Sequence, residues 1–546
     1  MKKYICRVLI FMVTIFTMGI SGLGSENVYG AQGGSVSIEL PSFKVIMNGE
    51  TVNNNYSQYP LIVYKDITYF PMTYSDCRYL GIESTWKGDK LGLSVDATGV
   101  TAAYNPYTSS SRNGKNYKAS VPAFPIQVNG KAIDNSKEEY PLLSFRNITY
   151  FPMTWKYGVE QFGWDYSFNQ KSGLAITSKN IKLKQTAISA NRPEEPEYSS
   201  FVGKKDTNVV VKGGYVYFTN KTGGILQAPL TNPTKTKLVY QLEKNTYYGG
   251  DYNQHSLYVE GSKAMLYYHR GGAVMGADCR LELNPDGTVR PLQSSYYDTT
   301  AIGDKLFMVW RGPAPGLGGL RMAKDVDDEG VPLGSAGYWY YPLSNSAPFF
   351  SVYDNQLLVR AAKSLENAEN ERDLEVCQVY KVDVNTNKLT QVSHAPEDVV
   401  GAQLEGDNLY YLSKSQVYQI SLKDGAETLL GTATGLSASI NEQPFKVLGG
   451  KAYFTKEDGQ LYTLGKETSL NPKAELLSMR RTGDNQEYLA CTFKEDTAVP
   501  YRTLVFDRSG SVVFKSSDCS TGLEVEGSTL SFYNVTTQKV CSGKIK

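Results

Sequence analysis

The chain has 546 residues, with 56 Lys and Arg against 55 Asp and Glu, a formal net charge of +1, 50 Gly, 40 Tyr and seven Cys. Such a balance offers no long-range attraction to nucleic acid or anionic lipid, and cysteines this sparse, none in a C-x-x-C pair, exclude a small disulfide scaffold. The length exceeds one core and predicts two to four domains, while abundant Gly and Tyr with few Leu-rich helical stretches predict a secreted, mainly β protein.

Lys2, Lys3 and Arg7 precede an apolar run from Val8 to Leu23 that is interrupted by Thr14, Thr17 and Ser21. The run falls short of the roughly 20 residues of a spanning helix, so residues 1–30 read as a secretory signal peptide cleaved near Gly30 or Ala31. Its removal takes three bases and one acid and leaves the mature chain near −1. No cysteine follows the apolar run closely enough to carry a lipid. The expected location is therefore secreted or non-covalently attached to the cell surface, with no membrane insertion after signal cleavage. Cys6 leaves with the signal; Cys77, Cys279, Cys377, Cys491, Cys519 and Cys541 read as buried free thiols, with Cys519 and Cys541 the one pair worth testing as a disulfide.

The heptapeptide ITYFPMT occurs twice, at 67–73 and at 148–154. Extended outward, LPSFKVIMNGETVNNNYSQYPLIVYKDITYFPMT aligns without a gap to VPAFPIQVNGKAIDNSKEEYPLLSFRNITYFPMT, matching Asn48-Gly49 to Asn129-Gly130, Tyr59-Pro60 to Tyr140-Pro141 and Pro71 to Pro152. Beyond it Leu80-Gly81 matches Phe162-Gly163, Trp86 matches Phe168 after one extra residue, and GLSV at 92–95 matches GLAI at 173–176. Two modules of about 60 residues are predicted, at 38–98 and 119–180. In each, Asn-Gly between short apolar runs predicts a type I′ hairpin. ITYF predicts a strand, the following proline the first turn of a helix, and the glycine at 81 or 163 its C-terminal cap. GLSV or GLAI supplies the last strand.

This order of hairpin, extended segment, strand running through proline into a helix that ends in LG, tryptophan and final strand resembles the copper amine oxidase N-terminal-like domain. The resemblance covers about Leu40 to Ser178 and implies a tandem appendage of the kind found in secreted Gram-positive proteins. In the amine oxidases that domain is a stalk remote from a catalytic domain with three copper histidines and a quinone-forming tyrosine. This chain has only His255, His269 and His394, outside both modules and without a His-x-His, so no copper centre, cofactor or amine oxidase activity is expected.

Residues 181–200, rich in proline and acids, predict a linker. From 201 to 546 a motif of the form x-G-[DGN]-x-[LVA]-[YF]-[YF] recurs at Lys212, Glu260, Ile302, Tyr353, Glu405, Leu448 and Glu526, with room for a degenerate copy near Tyr488 to Phe493. Short strands and tight turns at this period predict a β-propeller of about seven blades, with six or eight allowed. The phrase around Tyr215 resembles propellers of the YWTD and TolB-like kind. The expected fold is thus mainly β: two small α+β modules followed by a propeller.

No nucleophile elbow, P-loop or dinucleotide fingerprint occurs. The acidic stretches 325–330 (DVDDEG) and 383–387 (DVNTN) lack the late glutamate of a calcium loop and read as hairpin turns. The insertion 311–341 ends in Tyr338, Trp339, Tyr340 and Tyr341, which suit a stacking surface or, more commonly, an aromatic strand edge. No catalytic, cofactor-binding or metal residue is assigned. The expected function is a non-catalytic cell-envelope binding or scaffold protein, the modules docking to a cell-wall polymer, glycan or surface protein. The alternative is an extracellular propeller lyase or hydrolase with the modules as targeting appendages.

Overall fold

The computed structural model describes residues 34–188, 209–244, 255–272, 276–295, 297–310, 319–340, 349–366, 373–436, 445–494, 501–535 and 537–545; residues 1–30, expected as a signal peptide, lie outside them. The first repeat forms β1 (Ser35–Glu39), β2 (Val45–Met47), β3 (Glu50–Val52), β4 (Ile62–Tyr64), β5 (Ile67–Pro71), helix α1 (Tyr74–Tyr79), β6 (Ile82–Trp86) and β7 (Leu93–Ala97). The second forms β8 (Asn116–Ser120), β9 (Ile126–Val128), β10 (Lys131–Ala132), β11 (Leu143–Phe145), β12 (Ile148–Pro152), a π-helix (Trp155–Gln161), β13 (Asp165–Asn169) and β14 (Gly173–Thr177).

The repeats share every sheet they build. β2 and β3 of the first repeat join β14 and β13 of the second, and β9 and β10 of the second join β7 and β6 of the first. The remaining strands close a six-stranded barrel in the order β1-β4-β5-β12-β11-β8. At its centre the two ITYFPMT strands pair with each other, antiparallel, with Tyr69 opposite Pro152, Phe70 opposite Phe151 and Pro71 opposite Tyr150. Equivalent residues face each other across a pseudo-twofold axis, so each copy is the partner of the other; this is the self-complementary geometry of an isologous interface. β1 and β8 meet in the same way, centred on Ser37 opposite Lys118.

The Asn-Gly turns do more than reverse the chain. Asn48 and Asn129 sit at φ 47° and 49°, followed by Gly49 and Gly130 at φ 94° and 75°, as a type I′ turn requires. From that corner Asn48 Nδ2 donates to Tyr79 O at 3.1 Å while its Oδ1 accepts from Ser178 N at 2.9 Å. Asn129 repeats the arrangement with Gln161 O at 2.9 Å and Ala97 N at 2.8 Å. Each side chain thus clips the end of its own repeat's helix to the last strand of the other repeat. Trp164 of the second repeat, fully buried against Phe70 at 5.0 Å, likewise donates from Nε1 to Leu80 O at 2.9 Å.

Two local expectations are corrected. Pro71 and Pro152 are the last residues of β5 and β12, and the helices start three residues later, with Thr73 and Thr154 at the N-caps. Proline is tolerated there because a strand end need not donate to the ladder. The one extra residue of the second repeat is absorbed by widening its helix: six residues of α-helix become seven of π-helix. Gly158 stands where the first repeat has Cys77, and a Cβ there would lie 1.2 Å from the Tyr166 hydroxyl, so the larger Tyr166 requires glycine opposite it.

The propeller has eight sheets among the described residues, within the expected range of six to eight. Their first strands are Val209–Lys212, His255–Glu260, Tyr297–Ile302, Phe350–Tyr353, Val399–Glu405, Lys446–Leu448, Leu476–Thr482 and Ser520–Glu526, which define blades 1 to 8. First strands of blades 8 and 1, 1 and 2, 3 and 4, 5 and 6, and 6 and 7 touch one another, which marks these strands as the inner ones. The degenerate copy near Tyr488 to Phe493 is the second strand of blade 7. Blade 8 has three strands from the C-terminal segment and takes its outermost strand, β15 (Lys184–Ala187), from the region expected as linker; Gln185 pairs with Cys541. The interlocked domain rests on blades 7 and 8. Thr101 bridges Ser516, Ala103 N donates to Asp518 Oδ2 at 2.6 Å, and Ala103 and Leu183 enter the apolar cluster of Phe514, Leu523 and Phe532.

Because β15 completes the ring, a propeller fragment beginning at residue 201 is expected to unfold well below one beginning at residue 181. Thermal unfolding of the two fragments checks it. A second expectation concerns Asp76, a buried carboxyl that accepts from Thr73 Oγ1 at 2.7 Å. Burial raises its pKa to about 6, so its contribution to stability is present below the unfolded value near 4 and is lost as pH rises through 6. Asp76→Asn keeps the hydrogen bond and is expected to stabilise the chain at pH 7.5 by on the order of 2–3 kcal/mol while changing little near pH 4. Melting curves at both pH values read the difference.

Candidate functional site

The histidines are distributed among separate contacts. His255 Nε2 lies 2.8 Å from Thr219 Oγ1, joining blade 2 to blade 1. His269 Nδ1 lies 2.9 Å from Asp278 Oδ1 and its Nε2 3.1 Å from Gly272 O. His394 Nδ1 is 3.8 Å from Glu427, whose carboxylate also takes the Tyr411 hydroxyl. Among the described residues no three His, Cys, Asp or Glu side chains gather, and this donor set does not fit a copper centre. All six described cysteines are buried and none is in a disulfide, Cys519 and Cys541 included. Burial pushes the thiols of Cys377 and Cys541 up to about 12, which makes them poor nucleophiles.

The acidic stretches spend their carboxylates on their own turns. Asp325 Oδ1 accepts from the amides of Asp327 and Asp328 at 3.1 and 3.0 Å, and Asp328 accepts from Lys324 N and Gly330 N at 3.0 Å each. Asp383 Oδ1 accepts from Asn385 N and Thr386 N at 2.9 and 3.1 Å. Those amides hold the Asp328 and Asp383 carboxyls below their ordinary range. In the aromatic run Tyr338 and Trp339 form a two-residue strand opposite Lys363 and Ala362 of blade 4, Trp339 Nε1 donates to Ser364 Oγ at 3.2 Å, and Tyr340 is buried. It is a strand edge, and Tyr341 lies outside the described residues.

The acid–glycine turns carry a role that the motif search left unassigned. Glu405 ends the inner strand of blade 5, and its two oxygens accept from Gly449 N and Gly450 N in the turn of blade 6, both at 3.0 Å. Gly449 has φ 57°, and a Cβ there would meet Arg508 O at 2.1 Å. Glu526 ends the inner strand of blade 8 and accepts from Gly213 N and Gly214 N of blade 1 at 2.6 and 3.2 Å. Asp484 of blade 7 accepts from Gly527 N of blade 8 at 3.0 Å. A carboxylate at the end of one blade therefore receives the paired amides of the next blade's turn. Other buried polar groups do the same between strands: Gln227 reaches Pro285 O at 2.9 Å, Arg280 reaches Thr299 O at 2.6 Å, and Arg360 reaches Val400 O at 2.7 Å.

The strongest charge concentration lies where the ring closes. Glu524, 1% exposed on the inner strand of blade 8, meets Lys212 Nζ of blade 1 at 2.8 Å, Arg480 of blade 7, and Thr482 Oγ1 at 3.1 Å. Glu405 is similarly flanked by Arg508 at 3.1 Å and Arg481 at 3.6 Å. Buried charges need such partners, since removing one member leaves the others uncompensated. The EGD and EGS tripeptides at 405–407 and 526–528 were the signal for the Glu405 and Glu526 clamps; only their glycine was read.

Surface aromatics are concentrated elsewhere. Among the described residues the large aromatic side chains that are clearly exposed, Tyr56, Tyr74, Trp86, Tyr107, Trp155 and Phe168, all belong to the interlocked domain. Two of them form equivalent cross-repeat pairs: Trp86 with Phe124 at 5.0 Å and Phe168 with Phe43 at 5.2 Å.

Neither a protein-family model nor a curated protein sequence matches the chain. Among solved structures it is similar to BamB from Moraxella catarrhalis, at 12% identity and TM-score 0.35, covering 66% of this chain and 98% of that one. It is also similar to dipeptidyl peptidase 4 of Porphyromonas gingivalis, at 12% identity and TM-score 0.37, over 61% of this chain and 58% of that one. A third likeness is to PorZ, a surface component of the type-IX secretion system of Porphyromonas gingivalis, at 12% identity and TM-score 0.31, over 64% and 42%. These are likenesses of fold, and the eight sheets carry the propeller by themselves. No helix of the described residues is long and apolar enough to cross a membrane.

Glu524→Ala is expected to cost about 3–5 kcal/mol by stranding Lys212 and Arg480. Denaturant unfolding measures it, with Asp383→Asn, which keeps its turn, expected to unfold like the unmodified chain.

Proposed function

We propose that this is a non-catalytic binding or scaffold protein of the cell envelope, secreted or held non-covalently at the surface. The interlocked domain docks to a cell-wall polymer, glycan or surface protein, and the propeller presents a recognition face. The two repeats are read as copies of the copper amine oxidase stalk-like domain, used as an appendage without its oxidase, and the propeller as one of the YWTD or TolB-like kind. The observation that carries the reading is the gathering of exposed aromatics on the interlocked domain, since amphipathic rings at a surface mark contact sites. The commitment of Glu405, Glu524 and Glu526 to blade-to-blade clamps supports it from the other side, because these acids serve construction.

The test is retention of the full chain on purified cell wall and on wall glycans, beside fragments 34–180 and 181–545. The full chain and fragment 34–180 are expected to be retained, and Trp86→Ala with Trp155→Ala to reduce retention severalfold. If neither fragment is retained while the full chain degrades a polymer, the binding reading fails.

A further inference from the structure

The duplication provides an internal comparison. The barrel has two equivalent seams, β1 against β4 and β8 against β11, each held by a single residue pair, Glu39 with Val63 and Ser120 with Ser144. At the second seam Arg146 acts as a brace. Its guanidinium lies 4.9 Å from the Phe145 ring and 5.2 Å from the Tyr117 ring, and it donates to Gln58 O at 2.6 Å and to Asn113 Oδ1 at 2.9 Å. The equivalent residue at the first seam is Lys65, whose ammonium rests 5.4 Å over Tyr64. There a groove of about 640 Å³ opens, lined by Ser37, Glu39, Tyr64, Asp66, Tyr117 and Lys118 among others.

The register of β1 shows what faces that groove. Leu40 N donates to Lys115 O, so the even-numbered residues of β1 bond toward β8 and the odd-numbered ones bond away from it. Glu39 finds Val63 on that outer side, but β4 then turns back at Lys65 and Asp66, both at positive φ. Ser35 and Ser37 continue past the turn, exposed, with no strand beside them among the described residues. Two residues of backbone donors and acceptors are thus left at strand spacing. Strand edges are usually blunted by lysine, proline or a bulge; this one carries serines.

We infer that the outer edge of β1 docks an extended peptide segment of a partner protein, added as a strand that continues the ladder begun by Glu39 and Val63. In strand addition main-chain bonds supply the affinity and flanking pockets read alternate side chains; Tyr64 and Tyr117 provide the flanks. Glu39 and Asp66 balance Lys65 and Lys118, so the groove selects a mixed, near-neutral segment. A glycan stacked on the tyrosines would leave the paired amides and carbonyls of Ser35 and Ser37 unused, which is why a peptide is the occupant argued. This site stands apart from the envelope reading, and wall retention does not enter its test.

The probe is a blocked peptide, Lys-Thr-Val-Thr-Val-Thr-Glu, added to the full chain, with hydrogen exchange read by mass spectrometry over residues 34–40. Exchange at Ser35 and Ser37 is expected to slow at least tenfold, and a version N-methylated at alternate residues to have no effect. Ser37→Pro removes one outward donor and spares the ladder to β8, so it is expected to weaken binding at least tenfold while the amides of Ile38 and Leu40 stay protected. Absence of protection by the peptide overturns the proposal. So does equal binding to a folded Ser37→Pro chain, or protection of the same residues by a chitin oligosaccharide and not by the peptide.

Discussion

Phe70 and Phe151 face each other across two strands of identical sequence running in opposite directions, and the N-terminal half of the chain is organised by that pairing. A strand that pairs with its own copy must satisfy one set of constraints from both sides: each residue is at once a group to be packed and the surface packing it. Change in one copy alone would break the match, which is a physical reason for the seven residues to be the same. The neighbouring sheets inherit the arrangement. With the two central strands fixed, the terminal hairpin of each repeat reaches the last strand of the other, and Asn48 and Asn129 pin the crossing. Neither repeat has a complete core by itself, since the main cluster mixes Phe70, Leu80 and Val95 with Phe151, Trp164 and Ile176.

The propeller solves a related problem by different means. Eight sheets must hold neighbours at a fixed angle, and apolar packing between blade faces is not directional enough to set that angle alone. Carboxylates aimed at turn amides, and Gln or Arg side chains aimed at carbonyls, add directed contacts between blades. Their burial makes an unmade contact costly, so the same groups that join blades also penalise wrong spacings.

Much of this was legible in the residues, and what was not has identifiable causes. Hairpins at Asn-Gly were legible because the side-chain and backbone demands of a type I′ turn are local. The sharing of strands between repeats was not, because β14 meets β2 across more than a hundred residues, and a single repeat unit looks the same whether it closes on itself or on its twin. Blade number was legible only as a range of six to eight because the copy at Tyr488 has lost its glycine spacing: the turn before it runs from Thr482 through Gly483 and Gln486. The strand Lys184–Ala187 was hidden among prolines and acids that resemble a tether. The acid–glycine tripeptides were visible but were read for their turn glycine, and their carboxylates act on a neighbouring blade, 44 and 45 residues farther along the chain for Glu405 and back on blade 1 for Glu526. In the groove beside β1 the signal was a difference between copies, Lys65 against Arg146, which gains meaning only when both are seen as occupants of equivalent corners.

The closing strand also sets an order of events. Lys184 lies near the end of the first domain and pairs with Ser542, close to the C-terminus. The interlocked domain has its full complement of strands early in synthesis. The ring behind it cannot close until the last strand has been made, and its remaining edge stays open throughout. Contacts of such sequence separation are slow to form, so during synthesis the chain spends its longest exposed interval as a folded head carrying an unclosed, sticky arc. Blade 8 is then the last element of the ring to be completed and, by the same logic, the place where opening would begin.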